Sequence, residues 1–314
     1  MSNFASGYIK YINHLEQIND AAINNPEKMI SEVEGSYSEH LENIARNIAS
    51  QKEKIKVCML SGPSSSGKTT TARFFKEKLA KFGINAHIVS MDNYYLDRKL
   101  IPFKADGTQD FETVTALDIA HIEEAILNAV NNKTITVPNY SFKEGKAVGE
   151  SEVIDIGEND MIILEGIHGL NPIFTKHVAP EKLCKLYVSV KQQIKDVNGE
   201  VISPFDIRLT RRIVRDMQFR STSPERTLSM WDSVNEGEDR YIRPYRLSAD
   251  YTVNSIHIYE PCVLRTIAIP ILREIAEDSL YYRKARDLES RLMRFEPVSP
   301  SLVPETSLLK EFIG

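Results

Sequence analysis

Apolar residues along this chain come in two alternating patterns: short continuous blocks and stripes at helical spacing. Val57-Cys58-Met59-Leu60 is a continuous block, the signature of a strand buried on both faces. Ala72, Phe74, Phe75, Leu79 and Phe82 follow at helical spacing, and Gly83 marks the stop. The alternation then repeats. Strands are expected over residues 86–92, 134–138, 161–166, 185–190 and 249–253. Helices are expected over 39–53, 115–130 and 206–219, and over most of 260–295. Residues 139–150 have the polarity of a loop or hairpin. Strands alternating with helices indicate an α/β fold built on a doubly wound, mainly parallel sheet with a helical C-terminal region.

The two ends are patterned more weakly. Tyr8, Ile9, Tyr11, Ile12 and Leu15 suit a short amphipathic helix, broken at Asn24-Asn25-Pro26. Residues 1–50 therefore read as a helical N-terminal arm, 51–295 as the main domain and 296–314 as a tail. The tail carries Pro297, Pro300 and Pro304 and ends in a docked turn over 308–313.

The stretch joining the first block to the first stripe carries the chemistry. Gly62-Pro63-Ser64-Ser65-Ser66-Gly67-Lys68-Thr69 has the spacing G-x-x-x-x-G-K-[ST], with Thr70 next. Strand, glycine-bounded loop and helix is the context of a phosphate-binding loop. Gly62 and Gly67 let backbone N–H groups approach phosphate oxygens, and the helix adds the positive end of its dipole. The hydroxyls of Ser64, Ser65, Ser66 and Thr70 line the same loop. Lys68 supplies a point charge for the outer phosphates, and the Thr69 hydroxyl is a ligand for Mg²⁺. The expected ligands are a nucleoside triphosphate and Mg²⁺.

Two carboxylates sit at the ends of expected strands, where ligands of open α/β sheets bind: Asp92 and Glu165. Asp92 is the candidate general base and also faces the metal. Glu165 closes an apolar run and suits the metal shell. Glu112 comes from the irregular segment between them. The helix over 206–219 holds Arg208, Arg211, Arg212 and Arg215, with Arg220 just beyond. Arg208, Arg212 and Arg215 share one face and could close over a polyphosphate; the alternative is a solvated basic face paired with Asp206 and Asp216. Tyr140 and Phe142, two apart on an extended segment, could sandwich a planar ring or simply pack a hairpin. His168 is expected to be a hydrogen-bonded structural residue and Trp231 a helix-packing one.

Charge and composition narrow the class. A net charge of −5 over 314 residues does not advertise nucleic-acid binding. Three scattered cysteines form no zinc pattern and suit a reducing cytoplasm. No basic-then-apolar leader and no membrane-length apolar run is present, so a cytoplasmic location without a membrane partner is expected. A homo-oligomer is compatible with the sequence and not specified by it.

Taken together, these motifs resemble the uridine kinase and phosphoribulokinase family of P-loop kinases. The matching pieces are Gly62–Thr70, Asp92-Asn93-Tyr94-Tyr95, Asp110-Phe111-Glu112, Val137-Pro138-Asn139-Tyr140-Ser141-Phe142, Glu165-Gly166-Ile167 and Asp206–Asp216, in family order. The resemblance is greatest to bacterial uridine kinase-like proteins in which this region follows a module resembling part of threonyl-tRNA synthetase. That module is absent here, and residues 1–50 look like the end of its connection. The resemblance implies a P-loop kinase fold with a helical lid, and ATP- and Mg²⁺-dependent transfer to a nucleoside 5′-hydroxyl. It implies that Asp92 is the base, and that Thr69, Asp92 and Glu165 surround Mg²⁺. Glu112 and Arg212 would contact the ribose, Arg215 and Arg220 the phosphates, and Tyr95, Tyr140 and Phe142 the acceptor. It also exposes departures. Gly145, Thr222 and Met230 stand where uridine–cytidine kinases carry a histidine, an arginine and a glutamine. The acceptor is therefore a nucleoside or related sugar, with uridine itself left open. Alternatives are a phosphoribulokinase-like sugar-phosphate kinase and a non-catalytic nucleotide sensor. A GTPase is disfavoured, because no Asn-Lys-x-Asp signature occurs.

Overall fold

The block Val57–Ser61 forms β1, every residue of it buried. Around it lie β2 (Asn85–Ser90), β3 (Asp160–Glu165), β4 (Leu183–Ser189) and β5 (Tyr251–Asn254), in the order β5-β4-β1-β3-β2. All four pairings are parallel, with Leu60 opposite Glu165 and Ser90 opposite Glu165. The strands therefore end together, and the loops that follow β1, β2 and β3 gather at one edge of the sheet. This computed structural model describes residues 14–104 and 107–314.

Alternation along the strands splits the core in two. Cys58, Leu60, Met161 and Ile163 face one cluster, while Val57, Met59, Ile162 and Leu164 face the other. The second face is covered by α4 (Ile119–Val130), capped by the Asp118 side chain. The first is covered by α3 (Lys68–Ala80), α5 (Pro204–Arg220), α7 (Glu260–Arg273) and the N-terminal helices. After α5 comes α6 (Pro224–Tyr241), and after α7 comes α8 (Tyr282–Leu292). No helix among the described residues is long and apolar enough to cross a membrane.

Most of the expected helix through Tyr8, Ile9, Tyr11 and Ile12 lies outside the described residues. Leu15 begins α1 (Leu15–Asn24), which stops at Asn25 as expected. The helix expected over 39–53 starts much earlier: α2 runs Pro26–Ala49, with Pro26 at its first turn. Met29, Ile30, Val33 and Tyr37 extend the buried stripe of Leu41, Ile44, Ala45 and Ile48, so packing fixes the added turns despite their polar composition. The Tyr37 hydroxyl meets the Thr71 hydroxyl at 2.6 Å, and Lys78 Nζ donates to Ser38 Oγ at 2.6 Å. The N-terminal segment is thus laid directly against the helix of the phosphate loop.

Smaller elements surround this frame. Ile135–Val137 pairs antiparallel with Glu152–Ile154, and Tyr140–Ser141 with Lys146–Ala147, which makes 139–150 a hairpin. Ile194–Asp196 also pairs with Gly199–Ile202, a hairpin signalled only by Asn198-Gly199.

The turn expected to dock at the end of the tail does dock, and it is part of the main core. Leu308, Leu309 and Phe312 are fully buried in the same cluster as Cys58 and Phe75. They carry a last helix, α9 (Lys310–Ile313), against α5. Phe312→Ala should lower unfolding stability by about 3–5 kcal/mol. Urea denaturation checks this, since a loosely attached tail would leave the midpoint in place.

Candidate active site

The loop from Gly62 to Gly67 is shaped by two close fits. A side chain at Gly62 would strike the Val188 carbonyl, whose oxygen lies 2.0 Å from the β-carbon position. Gly67 has φ +83 as the chain enters α3, a left-handed turn that suits glycine. Lys68 Nζ folds back and donates to the Pro63 carbonyl at 3.1 Å. The Ser65 and Ser66 hydroxyls are buried without a hydrogen-bond partner among the described residues. With the amides at the start of α3 they form a cradle of donors suited to an anion.

Carboxylates face that cradle. Glu165 ends β3 and is buried. Its Oε1 accepts from Ser90 Oγ at 3.0 Å and from Thr69 Oγ1 at 3.4 Å. The strand expected to end at Asp92 ends at Ser90, and Asp92 lies on a 3₁₀ turn over Met91–Tyr94. The Ser90 hydroxyl, which accepts from the Asp92 N–H at 3.3 Å, caps this turn. Asp92 is exposed at the surface, yet protein atoms crowd round its carboxyl. That crowding raises its carboxyl above the usual value, against the pull of Lys68 and Arg220. Burial raises Glu165 likewise and lowers the Lys68 ammonium, which Glu165 and Asp92 push back up. These side chains therefore share one crevice and feel one another's charge.

Among the described residues no group of three or more His, Cys, Asp or Glu converges as a metal cage. Thr69 and Glu165 nevertheless supply a hydroxyl and a carboxylate side by side, with Asp92 close by. Such a sparse oxygen set fits Mg²⁺, which keeps water and completes its shell with phosphate oxygens.

Helix α5 grips the loop from the other side. Its start is fixed by reciprocal hydrogen bonds between Ser203 and Asp206, so Asp206 serves as a cap rather than a partner of the basic face. Arg211 is fully buried. Its Nε and Nη2 meet Glu260 at 2.6 and 2.8 Å, Nη2 also donates to the Ser255 carbonyl at 2.7 Å, and Nη1 reaches the Ser65 carbonyl at 3.2 Å. Arg208 Nη1 donates to the Ser64 carbonyl at 3.2 Å while Nη2 pairs with buried Glu238 at 2.8 Å. Arg212 Nη1 donates to Ser64 Oγ at 2.9 Å. The face expected to close over a polyphosphate is thus divided. Arg208 and Arg211 brace the loop from behind, and Arg212, Arg215 and Arg220 gather on Asp216 at 3.3, 2.7 and 3.6 Å. Asp216 is buried, whereas the Arg220 side chain is 58% exposed, so one shielded carboxylate holds three cations beside the crevice.

The remaining predicted residues line the same side. The Tyr95 hydroxyl donates to the Phe111 carbonyl at 3.0 Å. The Tyr95 ring lies 5.7 Å from Tyr140 and 5.5 Å from Phe142, and those two rings lie 5.2 Å apart. Tyr140 is buried and Phe142 exposed, yet their rings meet, as the two-residue spacing implied. Burial raises the Glu112 carboxyl, and the charges of Arg212 and Lys104 oppose that shift. Asp110 accepts from the Glu112 N–H at 3.2 Å and from the Tyr241 hydroxyl at 3.2 Å. His168 is buried, and burial lowers its pKa to about 4 against an opposing interaction with the Glu112 backbone. Trp231 is buried and packs under the Arg208 guanidinium.

Sequence reasoning missed Glu311. From α9 its Oε2 accepts from the Thr70 hydroxyl at 2.6 Å and from the Thr70 N–H at 3.4 Å. A carboxylate of this chain thus sits on donors of the phosphate cradle. Nothing in local spacing connects residues 241 positions apart; the faint signal was the apolar i, i+4 pair Leu308 and Phe312. Ser90 and Tyr241 were missed for the same reason.

A family model described as the phosphoribulokinase / uridine kinase family matches residues 57–260. The chain belongs to this family. The match runs from β1 to the first residue of α7 and leaves α2 and the Glu311 segment outside. Among similar curated proteins, a uridine kinase of Ureaplasma parvum is 26% identical over 62% of this chain and 86% of its own length. A uridine kinase of Ligilactobacillus salivarius is 28% identical over 66% and 88%. A solved structure from Silicibacter sp. TM1040, described as a candidate fructose transport system kinase, superposes with a TM-score of 0.50. It is 19% identical and covers 68% of this chain and 98% of that one, which supports the shared P-loop kinase fold.

Because Glu311 occupies cradle donors with a negative charge, Glu311→Gln should tighten ATP binding by about 1 kcal/mol, roughly five-fold. Calorimetric titration with ATP reads this directly, and weakened binding would instead make Glu311 part of the nucleotide site.

Proposed function

We propose that this protein transfers the γ-phosphoryl group of ATP to the 5′-hydroxyl of a nucleoside. The observation that carries this reading is the crevice itself. Lys68 on the anion cradle, Glu165 at the end of the next strand and Asp92 on the turn that follows the strand beyond share one space. The names of the curated relatives agree with the reading.

In this reading Gly62, Ser64, Ser65, Ser66, Gly67 and Thr70 hold the polyphosphate, with Lys68 at its outer end. Thr69, Glu165 and Asp92 would hold Mg²⁺, which when bound neutralises phosphate charge and orients the oxygens. Glu112 and Arg212 take the ribose hydroxyls, and Tyr95, Tyr140 and Phe142 stack on the base. Asp92 accepts the proton of the 5′-hydroxyl as that oxygen forms its bond to the γ-phosphorus and ADP departs. Arg215 and Arg220, fanned out by Asp216, stabilise the charge that spreads over the transferring group. The aromatic box favours a nucleoside over a sugar phosphate, which offers no planar ring to fill it.

Asp92→Asn should lower kcat by about 10²–10⁴-fold while ATP still binds. Coupled detection of nucleoside-dependent ADP release, with calorimetry beside it, tests this, and unchanged turnover would sink the proposed base. The pH profile has a defined sign. A base works deprotonated, and burial raises the Asp92 pKa, so activity should fall on acidification at a pH above that of an ordinary aspartate. Arg220 holds that pKa down. Arg220→Ala should therefore move the acid limb of kcat/KM to higher pH as well as slow the reaction.

A further inference from the structure

The hairpin that carries Tyr140 and Phe142 turns back through Gly145, whose φ is +69. A β-carbon at Gly145 would lie 2.8 Å from Arg98 Nε, 2.9 Å from its Cβ and 3.0 Å from its Cζ. The Arg98 side chain thus fills the direction in which a side chain from the hairpin would project. Its place is fixed from several sides. The Arg98 N–H donates to the Gly145 carbonyl at 2.7 Å, the guanidinium Nη2 donates to the Phe142 carbonyl, and the Gln109 amide donates to the Arg98 carbonyl.

Two further facts point from this arginine into the aromatic box. The Tyr140 hydroxyl is buried with no partner among the described residues, although Tyr140 is only 7% exposed. The Tyr140 phenol, raised by burial, also feels the Arg98 charge pulling it down. A buried hydroxyl without a partner is costly unless a ligand completes it. A guanidinium offers five donors in a planar fork and no acceptor. Among the described residues, the Phe142 carbonyl is the one side-chain hydrogen bond of Arg98.

We propose that Arg98 reads the base edge of the acceptor, selecting a nucleoside whose base carries a carbonyl oxygen at C4 of a pyrimidine or C6 of a purine over one that carries an amino group there. The inference rests on the nucleoside kinase reading above. Tyr95, Tyr140 and Phe142 accept any planar ring by stacking, so they do not discriminate between bases. A donor fork beside them does. It meets a carbonyl with a charge-assisted hydrogen bond, and it meets an amino group donor to donor. The plainer alternative is that Arg98 only braces the hairpin through Phe142. A brace would raise KM for every nucleoside alike and leave preference unchanged.

The test compares acceptors that differ in one oxygen: uridine against 2-pyrimidinone riboside, and inosine against purine riboside, with cytidine and adenosine included. Wild type should favour uridine over 2-pyrimidinone riboside, or inosine over purine riboside, by about ten-fold or more in kcat/KM. In Arg98→Ala that ratio should fall to about one, with the loss mainly in KM for the nucleoside and none in KM for ATP. Arg98→Lys, which keeps the charge but not the fork, should lie between. A ratio that survives Arg98→Ala, or a wild type that prefers cytidine or adenosine, overturns the assignment of Arg98 alone. No ADP release with any nucleoside overturns the nucleoside kinase reading and this inference with it.

Discussion

One buried guanidinium holds this structure in a form that can bind anything. Arg211 has no contact with water, yet its fork is satisfied by both oxygens of Glu260 and by the carbonyls of Ser255 and Ser65. A phosphate loop is a run of backbone that must present its N–H groups outward, so its carbonyls need partners behind. Arg211 and Arg208 provide them at Ser65 and Ser64, through a helix that enters the chain about 140 residues later. Loss of one member of such a buried pair leaves an uncompensated charge, at a cost of about 3–5 kcal/mol. The loop's shape is therefore a tertiary property, held from α5 and from the start of α7.

The same helix divides its arginines by depth. Those facing inward are neutralised by buried glutamates and act as braces. Those facing the crevice converge on Asp216, which is too few negative charges for three cations. The surplus positive charge is felt at Asp92, through Arg220, and at Glu112, through Arg212, and burial raises both of these carboxyls. Cations and carboxylates thus line one crevice, a charge pattern that the proposed phosphoryl transfer would use.

The ends of the chain complete the site from outside the region shared with the family. α2 lies along the helix of the phosphate loop through Tyr37 and Thr71. The Glu34 carboxylate accepts from Tyr259, whose hydroxyl also meets Ser307 at 3.0 Å, linking both ends to the turn before α7. Burial presses the His257 ring towards neutrality, but adjacent Glu34 overrides it and raises its pKa. Through this polar network the N-terminal helix supports the segment that places Glu311 on Thr70.

Much of the site was legible in the sequence because its parts are local. The parallel sheet follows from apolar blocks of strand length. The cradle follows from the spacing of Gly62, Gly67 and Lys68, and the carboxylates follow from acids placed where strands end. Strand order and the meeting of those loops at one edge then bring Asp92, Glu165 and Thr69 together without further information. What only the folded chain decided are the contacts between residues far apart in sequence: Arg211 with Glu260, Glu311 with Thr70, Arg98 over Gly145 and the burial of Leu308 and Phe312. Short-range patterning records the backbone's local preferences. Which side chain fills a given gap depends on which surfaces the fold presses together, and periodicity carries no trace of that.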